Sequence, residues 1–179
     1  AHILDAAGDQ IALDMGRLTF DGRAIPLADA TPEAIEMPLA VAGHEIKITA
    51  VGIGNPHCVV FVEAADADLE GLARTLGPHL ERHPLFPNRT NVQFVQVLSQ
   101  HELRMAIWER GAGYTLASGT SSCAAAGAAI RAGRCASPIT VHMPGGSARV
   151  EISADWEARL IGPVTPVCRG EVAADVIAA

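Results

Sequence analysis

Lysine is almost missing from this chain, because Lys47 is its only lysine. Lys47 lies in the alternating run 45–48, a pattern typical of the solvent face of a strand. Enzymes that use pyridoxal phosphate need a lysine to form a Schiff base with that cofactor. The sequence therefore argues against pyridoxal phosphate chemistry.

Cysteine is also scarce, and no two cysteines form a Cys-x-x-Cys pair. The cysteines are Cys58, Cys123, Cys135 and Cys168. Their spacing argues against zinc and dithiol redox motifs, and a disulfide framework is uncommon at such low cysteine density. We therefore expect reduced thiols, a cytoplasmic location and no metal site.

Long apolar runs and excess positive charge are absent too. No run approaches the roughly 18 residues of a membrane span, and residues 1–5 lack the basic segment of a signal peptide. The net charge of −7 argues against nucleic-acid binding. With 49% hydrophobic and 18% charged residues, the chain has a globular composition. We expect one domain over residues 1–179, processed or a fragment because no initiator Met is present, with no nucleic-acid or membrane partner.

One stretch, residues 108–129, combines groups typical of a binding site. The side chains of Glu109 and Arg110 lie at the end of an apolar strand, and a glycine-rich turn follows them. Small polar residues at 119–122 then precede an alanine-rich helix. Free N–H groups at a helix start, with the helix dipole behind them, suit an anion such as a carboxylate. An ordinary strand, loop and buried helix is the alternative. Because residues 123–129 have no polar face, we expect a helix buried on all sides, with its N-terminus at the mouth of a barrel.

Apolar periodicity predicts about nine short strands and two helices. The amphipathic helix is predicted over residues 66–82, and residues 21–35 are predicted to form a loop. Strands are predicted at residues 11–15, 36–42, 44–53, 58–62, 91–98, 102–108, 139–143 and 148–152, with short apolar runs around Leu160 and over 164–172. The pattern predicts an α+β fold in which an antiparallel β-sheet or barrel wraps around the central alanine-rich helix.

Several short motifs, taken together in order, carry a family resemblance. They are Gly54-Asn55-Pro56-His57-Cys58, His83-Pro84-Leu85-Phe86-Pro87 with Arg89-Thr90-Asn91-Val92, Trp108-Glu109-Arg110-Gly111-Ala112-Gly113, and Gly119-Thr120. In this order and spacing, from about Asp14 to Gly170, they closely resemble diaminopimelate epimerase. The resemblance implies a cofactor-independent racemase of two similar domains, each a sheet around a central helix, with the active site between the two helix N-termini.

The resemblance implies that this chain is the C-terminal half of such an enzyme. Its core is expected at about residues 15–162. Its two ends, roughly 1–14 and 163–179, are expected to pair with a missing N-terminal domain. Without that domain, unpaired strand edges would favour self-association into a homodimer.

The resemblance also implies roles for individual residues. Asn55 and Asn91 match asparagines that hold the distal end of an amino-acid substrate. Glu109 and Arg110 match a substrate-binding pair, of which the acid also tunes proton transfer. Each has a simpler explanation: an asparagine between Gly and Pro is a common turn residue, and adjacent opposite charges form surface ion pairs.

The remaining implied roles lie at the helix start and beside it. Gly119 and Thr120 match the backbone that grips the substrate α-carboxylate. His57 matches a histidine beside the catalytic pair, although it is equally explained as a buried, hydrogen-bonded histidine.

Ser118 departs from the family pattern, because the second catalytic cysteine of the family falls at this position. A two-base racemase removes the α-proton with one thiolate and returns a proton from a thiol on the opposite face. A serine hydroxyl needs an adjacent base to act comparably, and Glu109 and His57 are the available partners. Cys123 lies more than one turn into the buried helix, and Cys58 points to the opposite strand face from His57.

Three explanations of this departure stay open. Ser118 is an engineered or trapping replacement, or the protein is a divergent lyase or isomerase with a single acid/base, or it is an inactive amino-acid-binding homologue. The leading prediction is an epimerase that interconverts LL- and meso-diaminopimelate, for lysine and peptidoglycan precursors. Ser118, Glu109 and His57 are its predicted catalytic residues.

Overall fold

The computed structural model describes residues 1–4, 10–28, 31–168 and 170–171. In these ranges the chain forms strands and two helices. The strands are β1 (His2–Ile3), β2 (Gln10–Arg17), β3 (Met37–Val41), β4 (His44–Gly52), β5 (Pro56–Phe61), β6 (Asn91–Ser99), β7 (Glu102–Glu109), β8 (Gly113–Thr115), β9 (Ile139–Met143), β10 (Gly146–Ile152) and β11 (Glu157–Pro163). The helices are α1 (Leu69–Glu81) and α2 (Gly119–Arg131). The run predicted over 164–172 follows the last strand and lies partly outside the described residues.

The strands join into one mixed sheet in the order β1-β2-β11-β10-β9-β7-β6-β5-β4-β3, with β8 paired to β7. Most neighbours are antiparallel, as predicted, but β5 pairs with β6 and β7 with β9 in parallel. The reason is connectivity: α1 lies between β5 and β6 in the chain, and α2 between β7 and β9, so each pair is a crossover that returns in the same direction. The predicted antiparallel sheet is therefore mixed at these two places.

The sheet closes on itself through the segment that follows β2. Thr19 pairs with Gly52 of β4, the N–H of Thr19 donating to Gly52 at 2.9 Å and that of Gly52 to Thr19 at 2.8 Å. These two bonds connect the two sides of the curled sheet. The predicted barrel around a helix is therefore confirmed.

Helix α2 runs through the middle of the barrel. Its residues 123–129 are buried, as their lack of a polar face predicts. Small side chains are required because the sheet approaches so closely that a Cβ on Gly127 would lie 2.5 Å from Cδ1 of Leu18. The helix and the inward faces of the strands form one apolar core.

Helix α1 packs against the outside of β6 and β7, where a second apolar core forms. Its start is set by Asp68, whose carboxylate accepts the N–H of Gly71 at 2.9 Å. The predicted apolar positions Leu69, Ala73 and Leu80 are buried. Helix α1 thus lies on the outer face of the sheet, and its C-terminal end reaches the start of β6 and the end of β7.

Neither described helix is long and apolar enough to cross a membrane.

Candidate active site

Three strand ends meet at one end of the barrel. His57 lies beside Asn91 in the parallel β5–β6 pair, and Val92 lies opposite Trp108 in the antiparallel β6–β7 pair. The starts of β5 and β6 and the end of β7 therefore share one edge. The structure places the predicted residues Asn55, His57, Asn91, Glu109 and Arg110 there.

The N-terminus of α2 opens at the same end. Gln93 on β6 connects the two, because its amide nitrogen lies 3.0 Å from Oγ of Ser121 and 3.0 Å from Nδ1 of His57. One set of hydrogen bonds thus joins the first turn of α2 to the start of β5.

The His57 ring is fully buried and has hydrogen bonds at both nitrogens. Since the Gln93 amide nitrogen donates to Nδ1, the ring carries its proton on Nε2 and donates it to Oδ1 of Asn55 at 2.9 Å. Burial lowers the pKa of His57 to about 3, with the positive charge of Arg110 acting in the same direction against the Gln93 hydrogen bond. The ring is therefore neutral and holds Asn55 in place, and its predicted part in proton transfer stays a prediction.

Asn55 is half-buried in the turn before β5, where Gly54 has a φ of +79°. Its Oδ1 is occupied by His57. Among the described residues the structure gives its amide nitrogen no hydrogen-bond partner. Asn55 can therefore offer N–H donors to a ligand with an acceptor oxygen.

Asn91 instead hydrogen-bonds to two neighbouring chain segments, the start of β5 and the turn after β7. Its amide nitrogen donates to the carbonyl of Pro56 at 3.0 Å, and its Oδ1 accepts the backbone N–H of Arg110 at 2.9 Å. The side chain is buried and retains one N–H that is not used in these bonds. Its geometry supports a role in positioning the turn after β7, and direct contact with substrate stays a prediction.

Glu109 and Arg110 close the site edge at the end of β7. Glu109 is half-buried and Arg110 is exposed, with Nη1 donating to the carbonyl of Asn88 at 3.1 Å. In the described part of the chain the two do not form the surface ion pair considered above. The carboxylate and most of the guanidinium are thus free to meet a ligand that carries both charges.

The first turn of α2 leaves backbone N–H groups open. Ser118 is the N-cap residue and lies in extended conformation, but its side chain makes no capping bond. Its carbonyl accepts the N–H and the hydroxyl of Ser122 at 3.1 and 2.9 Å. Within the described residues the N–H groups of Gly119, Thr120 and Ser121 have no partner, and no acid lies in the first turn. This end of the helix therefore suits an anion.

The hydroxyl of Ser118 has no hydrogen bond to Glu109 or His57 in this structure. The two cysteines considered above do not replace it: Cys58 and Cys123 are buried, and burial raises the pKa of both thiols, that of Cys123 to about 12. No cluster of three His, Cys, Asp or Glu that could hold a metal ion occurs among the described residues. The site offers hydroxyl, carboxylate, guanidinium and amide groups.

Two buried residues of the site were missed by sequence reasoning. Gln93 lies on the inward face of β6, which it shares with the apolar Val95 and Val97, and Glu81 ends the buried face of α1. In each case a polar residue at an inward position of a periodic apolar segment was the available signal. The side-chain hydrogen-bond partners of Gln93 and Glu81 lie 27 or more residues away in the chain, so the signal had no local explanation.

The predicted site residues at the end of the barrel are partly open to solvent: Glu109, Ser118, Gly119 and Thr120 are half-buried and Arg110 is exposed. A cavity of about 340 Å³ beside the start of α1 is lined instead by residues of α1, β7 and β9, and includes none of the predicted site residues. This cavity is therefore separate from the predicted site residues.

Solved structures of low sequence identity share the fold. A probable proline racemase from Agrobacterium radiobacter K84 superposes with a TM-score of 0.63 at 14% identity, covering 93% of this chain and 54% of that one. A hydroxyproline epimerase from Agrobacterium vitis has a TM-score of 0.61 at 16% identity, covering 86% and 50%. At such low identity these likenesses concern the fold alone.

Sequence comparison is more specific. The family model of diaminopimelate epimerase matches residues 49–167. Diaminopimelate epimerase of Magnetococcus marinus is 48% identical over 162 residues, 90% of this chain and 57% of that protein, and that of Moorella thermoacetica is 44% identical over 167 residues, 92% and 58%. The chain thus spans less than two thirds of the length of these curated relatives. By the family match and these identities, the chain belongs to the diaminopimelate epimerase family.

Proposed function

We propose that this chain is the C-terminal, substrate-binding half of a diaminopimelate epimerase that interconverts LL- and meso-diaminopimelate without a cofactor. The observation that carries the proposal is the hydrogen-bond network of Asn55, His57, Gln93 and Ser121. It connects the open N-terminus of α2 to the polar edge of the sheet. The network thereby holds the helix N-terminus, which suits a carboxylate, and the charged end of β7 at the same end of the barrel.

The substrate is a diacid with an amino group at each end, and the site has groups for both ends. The reacting α-carboxylate would bind the free N–H groups of Gly119 and Thr120. The distal carboxylate would accept from Arg110 and the Asn55 amide nitrogen, and the distal ammonium would pair with Glu109. The charges of these groups complement those of the substrate.

A second domain would complete the site. We propose that this chain, with its core at about residues 15–162, packs against that domain through its two ends. Two observations support this: the chain covers only about 58% of a relative such as that of Moorella thermoacetica, and Glu109 and Arg110 are partly open to solvent. Exposed apolar side chains lie on the terminal strands or directly after them, near both ends: Ile3, Leu4, Leu13, Val164 and Val167. A homodimer through these edges is the alternative, and the cytoplasmic location remains a prediction.

Proton transfer would use two faces of the α-carbon. A base on one face takes the α-proton, the electron pair of the C–H bond stays on the substrate, and an acid on the other face returns a proton. By the family resemblance, Ser118 would occupy the position of one of these groups in this chain. Glu109 is the partner that could activate it, because both nitrogens of His57 are already hydrogen-bonded.

Ser118 also favours a second candidate function. Within the described residues its hydroxyl has no hydrogen bond to a base, and the thiols of Cys58 and Cys123 are buried. A protein that binds an amino acid without turnover, or a lyase or isomerase of the same fold with one acid/base, would have this arrangement.

The test is NMR of diaminopimelate and a panel of other amino acids in D2O with the full-length protein. We expect α-hydrogen exchange with inversion in the wild type, faster in Ser118→Cys because a thiol ionises nearer neutral pH. Ser153→Cys, which places a thiol at an exposed position directly after β10, is the control and should match the wild type. Activity only in Ser118→Cys favours the non-catalytic homologue, a product other than the epimer favours the lyase or isomerase, and silence from all variants refutes the proposal.

A further inference from the structure

Glu81 is a buried acid at the C-terminal end of α1, outside the groups discussed as substrate contacts. Its side chain is 5% exposed. Oε2 accepts the indole N–H of Trp108 at 2.7 Å, and Oε1 accepts the backbone N–H of Gly111 at 3.1 Å. The guanidinium of Arg89 lies 3.7 Å from Oε1. Both carboxylate oxygens of Glu81 therefore accept a hydrogen bond from the chain at the end of β7.

The two hydrogen-bond partners of Glu81 lie on either side of Glu109 and Arg110. Trp108 precedes that pair and Gly111 follows it, in a turn where Gly111 has a φ of +78°. One carboxylate therefore holds the chain before and after the two charged residues. The Asn91 bond to the N–H of Arg110 fixes the same turn from β6.

A carboxylate is the side chain that satisfies both donors at once. It has two acceptor oxygens, whereas the amide of glutamine has one acceptor and would turn an NH2 group toward one of the two N–H donors. A buried donor without a partner costs free energy. The turn would then shift to find another partner, and Glu109 and Arg110 would move with it.

Helix α1 is held close enough to make this contact firm. Gly77, one turn before Glu81, faces Trp108 so closely that a Cβ there would lie 2.6 Å from Cβ and Cγ of the indole side chain. The backbone N–H of Thr90 also donates to the carbonyl of Glu81 at 3.1 Å. The position of α1 is thus transmitted to the site edge.

We propose that Glu81 is a positioning residue that fixes Glu109 and Arg110 in the geometry needed for the distal end of a substrate bearing an ammonium and a carboxylate. This inference rests on the proposed function, because it assigns the purpose of the turn to substrate binding. Glu81 itself does not contact the substrate.

The experiment compares Glu81→Gln with Thr49→Val in the full-length protein. Thr49 is fully buried and its hydroxyl accepts the N–H of Glu36 at 3.1 Å on β4, away from the site. Both variants lose a buried hydrogen bond. The Kd for meso-diaminopimelate is measured by calorimetry, and the indole N–H resonances are recorded by NMR, with Trp108→Phe used to assign that of Trp108.

We expect Glu81→Gln to weaken binding about tenfold and to move the Trp108 indole resonance, whereas Thr49→Val changes Kd less than about twofold. If Glu81→Gln does not fold, Trp108→Phe removes one of the two donors and should weaken binding by about threefold. If Glu81→Gln, or Trp108→Phe used in its place, has the same Kd as the wild type, the role of Glu81 is overturned. The proposed function would not be affected by that result. A wild type that neither binds nor exchanges diaminopimelate would overturn the proposed function and this inference with it.

Discussion

His57 stays neutral at physiological pH because its imidazole is buried between Asn55 and Gln93. A free histidine titrates near pH 6.5, whereas burial lowers the pKa of His57 to about 3. A neutral ring with its proton on Nε2 orients the side-chain amide of Asn55, so that the amide nitrogen of Asn55 is left to meet a ligand. The residue that resembles a catalytic base by its position thus acts first as an anchor for a neighbour.

This lowered pKa predicts a loss of stability in acid. Between about pH 6.5 and 3 the unfolded chain binds a proton at this site that the folded chain does not bind, so stability falls as the pH falls. The contribution is about 1.4 kcal/mol per pH unit within that window. We expect His57→Gln to reduce this slope, measured by urea unfolding of the full-length protein from pH 7 to pH 4.5.

Equal slopes in the two proteins would contradict a buried, neutral His57. The carboxylates of the protein titrate in both, so the comparison between the two slopes isolates the contribution of the histidine.

At the scale of elements, two helices position the site from opposite faces of one sheet. Helix α2 brings its free N–H groups to the barrel mouth from inside, and α1 supports the turn after β7 from outside. Both approach the sheet closely at a glycine, Gly127 against Leu18 and Gly77 against Trp108. The second contact connects helix packing to the position of Glu109.

Gly77→Ala tests that connection. The added methyl group would lie 2.6 Å from Trp108, so α1 or the indole must move. We expect a net loss of about 1–3 kcal/mol of unfolding free energy, which exceeds the gain in helix propensity of up to about 1 kcal/mol, together with weaker substrate binding.

The matched control is Gly162→Ala, since no atom of the residues that the structure describes lies within 4 Å of a Cβ built there. It should change the unfolding free energy by less than about 0.5 kcal/mol. If Gly77→Ala proves as mild as Gly162→Ala in chemical denaturation, the close packing of α1 on Trp108 does not control the turn.

At the scale of the whole molecule, the apolar side chains on the terminal strands favour a docking face. Leu13 on β2 is 42% exposed, and Leu98 at the far end of β6 is similarly exposed at 49%. The two leucines make a matched pair, because only the first lies on the strands proposed to meet a second domain. An exposed leucine without a partner gains little from burial, whereas a docked one is stabilised.

In the full-length protein we therefore expect Leu13→Glu to cost about 1 kcal/mol or more of unfolding free energy. Leu98→Glu should leave stability within about 0.5 kcal/mol. Thermal unfolding measures both, and sedimentation velocity separates loss of domain packing from loss of a homodimer. Equal effects of the two substitutions would count against a docking face on β2.

The sequence predicted most of the strands, both helices and the buried central helix, because periodicity and residue size are local properties. The lack of any polar side chain over 123–129 was sufficient to place α2 inside the sheet. The two parallel pairings were missed because strand direction depends on how each helical crossover returns. The residues at the site edge were identified by short motifs, because the order of these motifs along the chain can be read directly from the sequence.

The roles of those residues required the tertiary structure. Gln93 meets His57 across 36 residues and Glu81 meets Gly111 across 30, and no local pattern specifies such pairs. The sequence by itself determined the family, the barrel around a small-residue helix and the set of polar groups at its mouth. Only the tertiary structure decided that His57 is neutral, that Asn91 braces the backbone and that Glu81 holds the charged turn, because burial and hydrogen-bond partners come from segments distant in the chain.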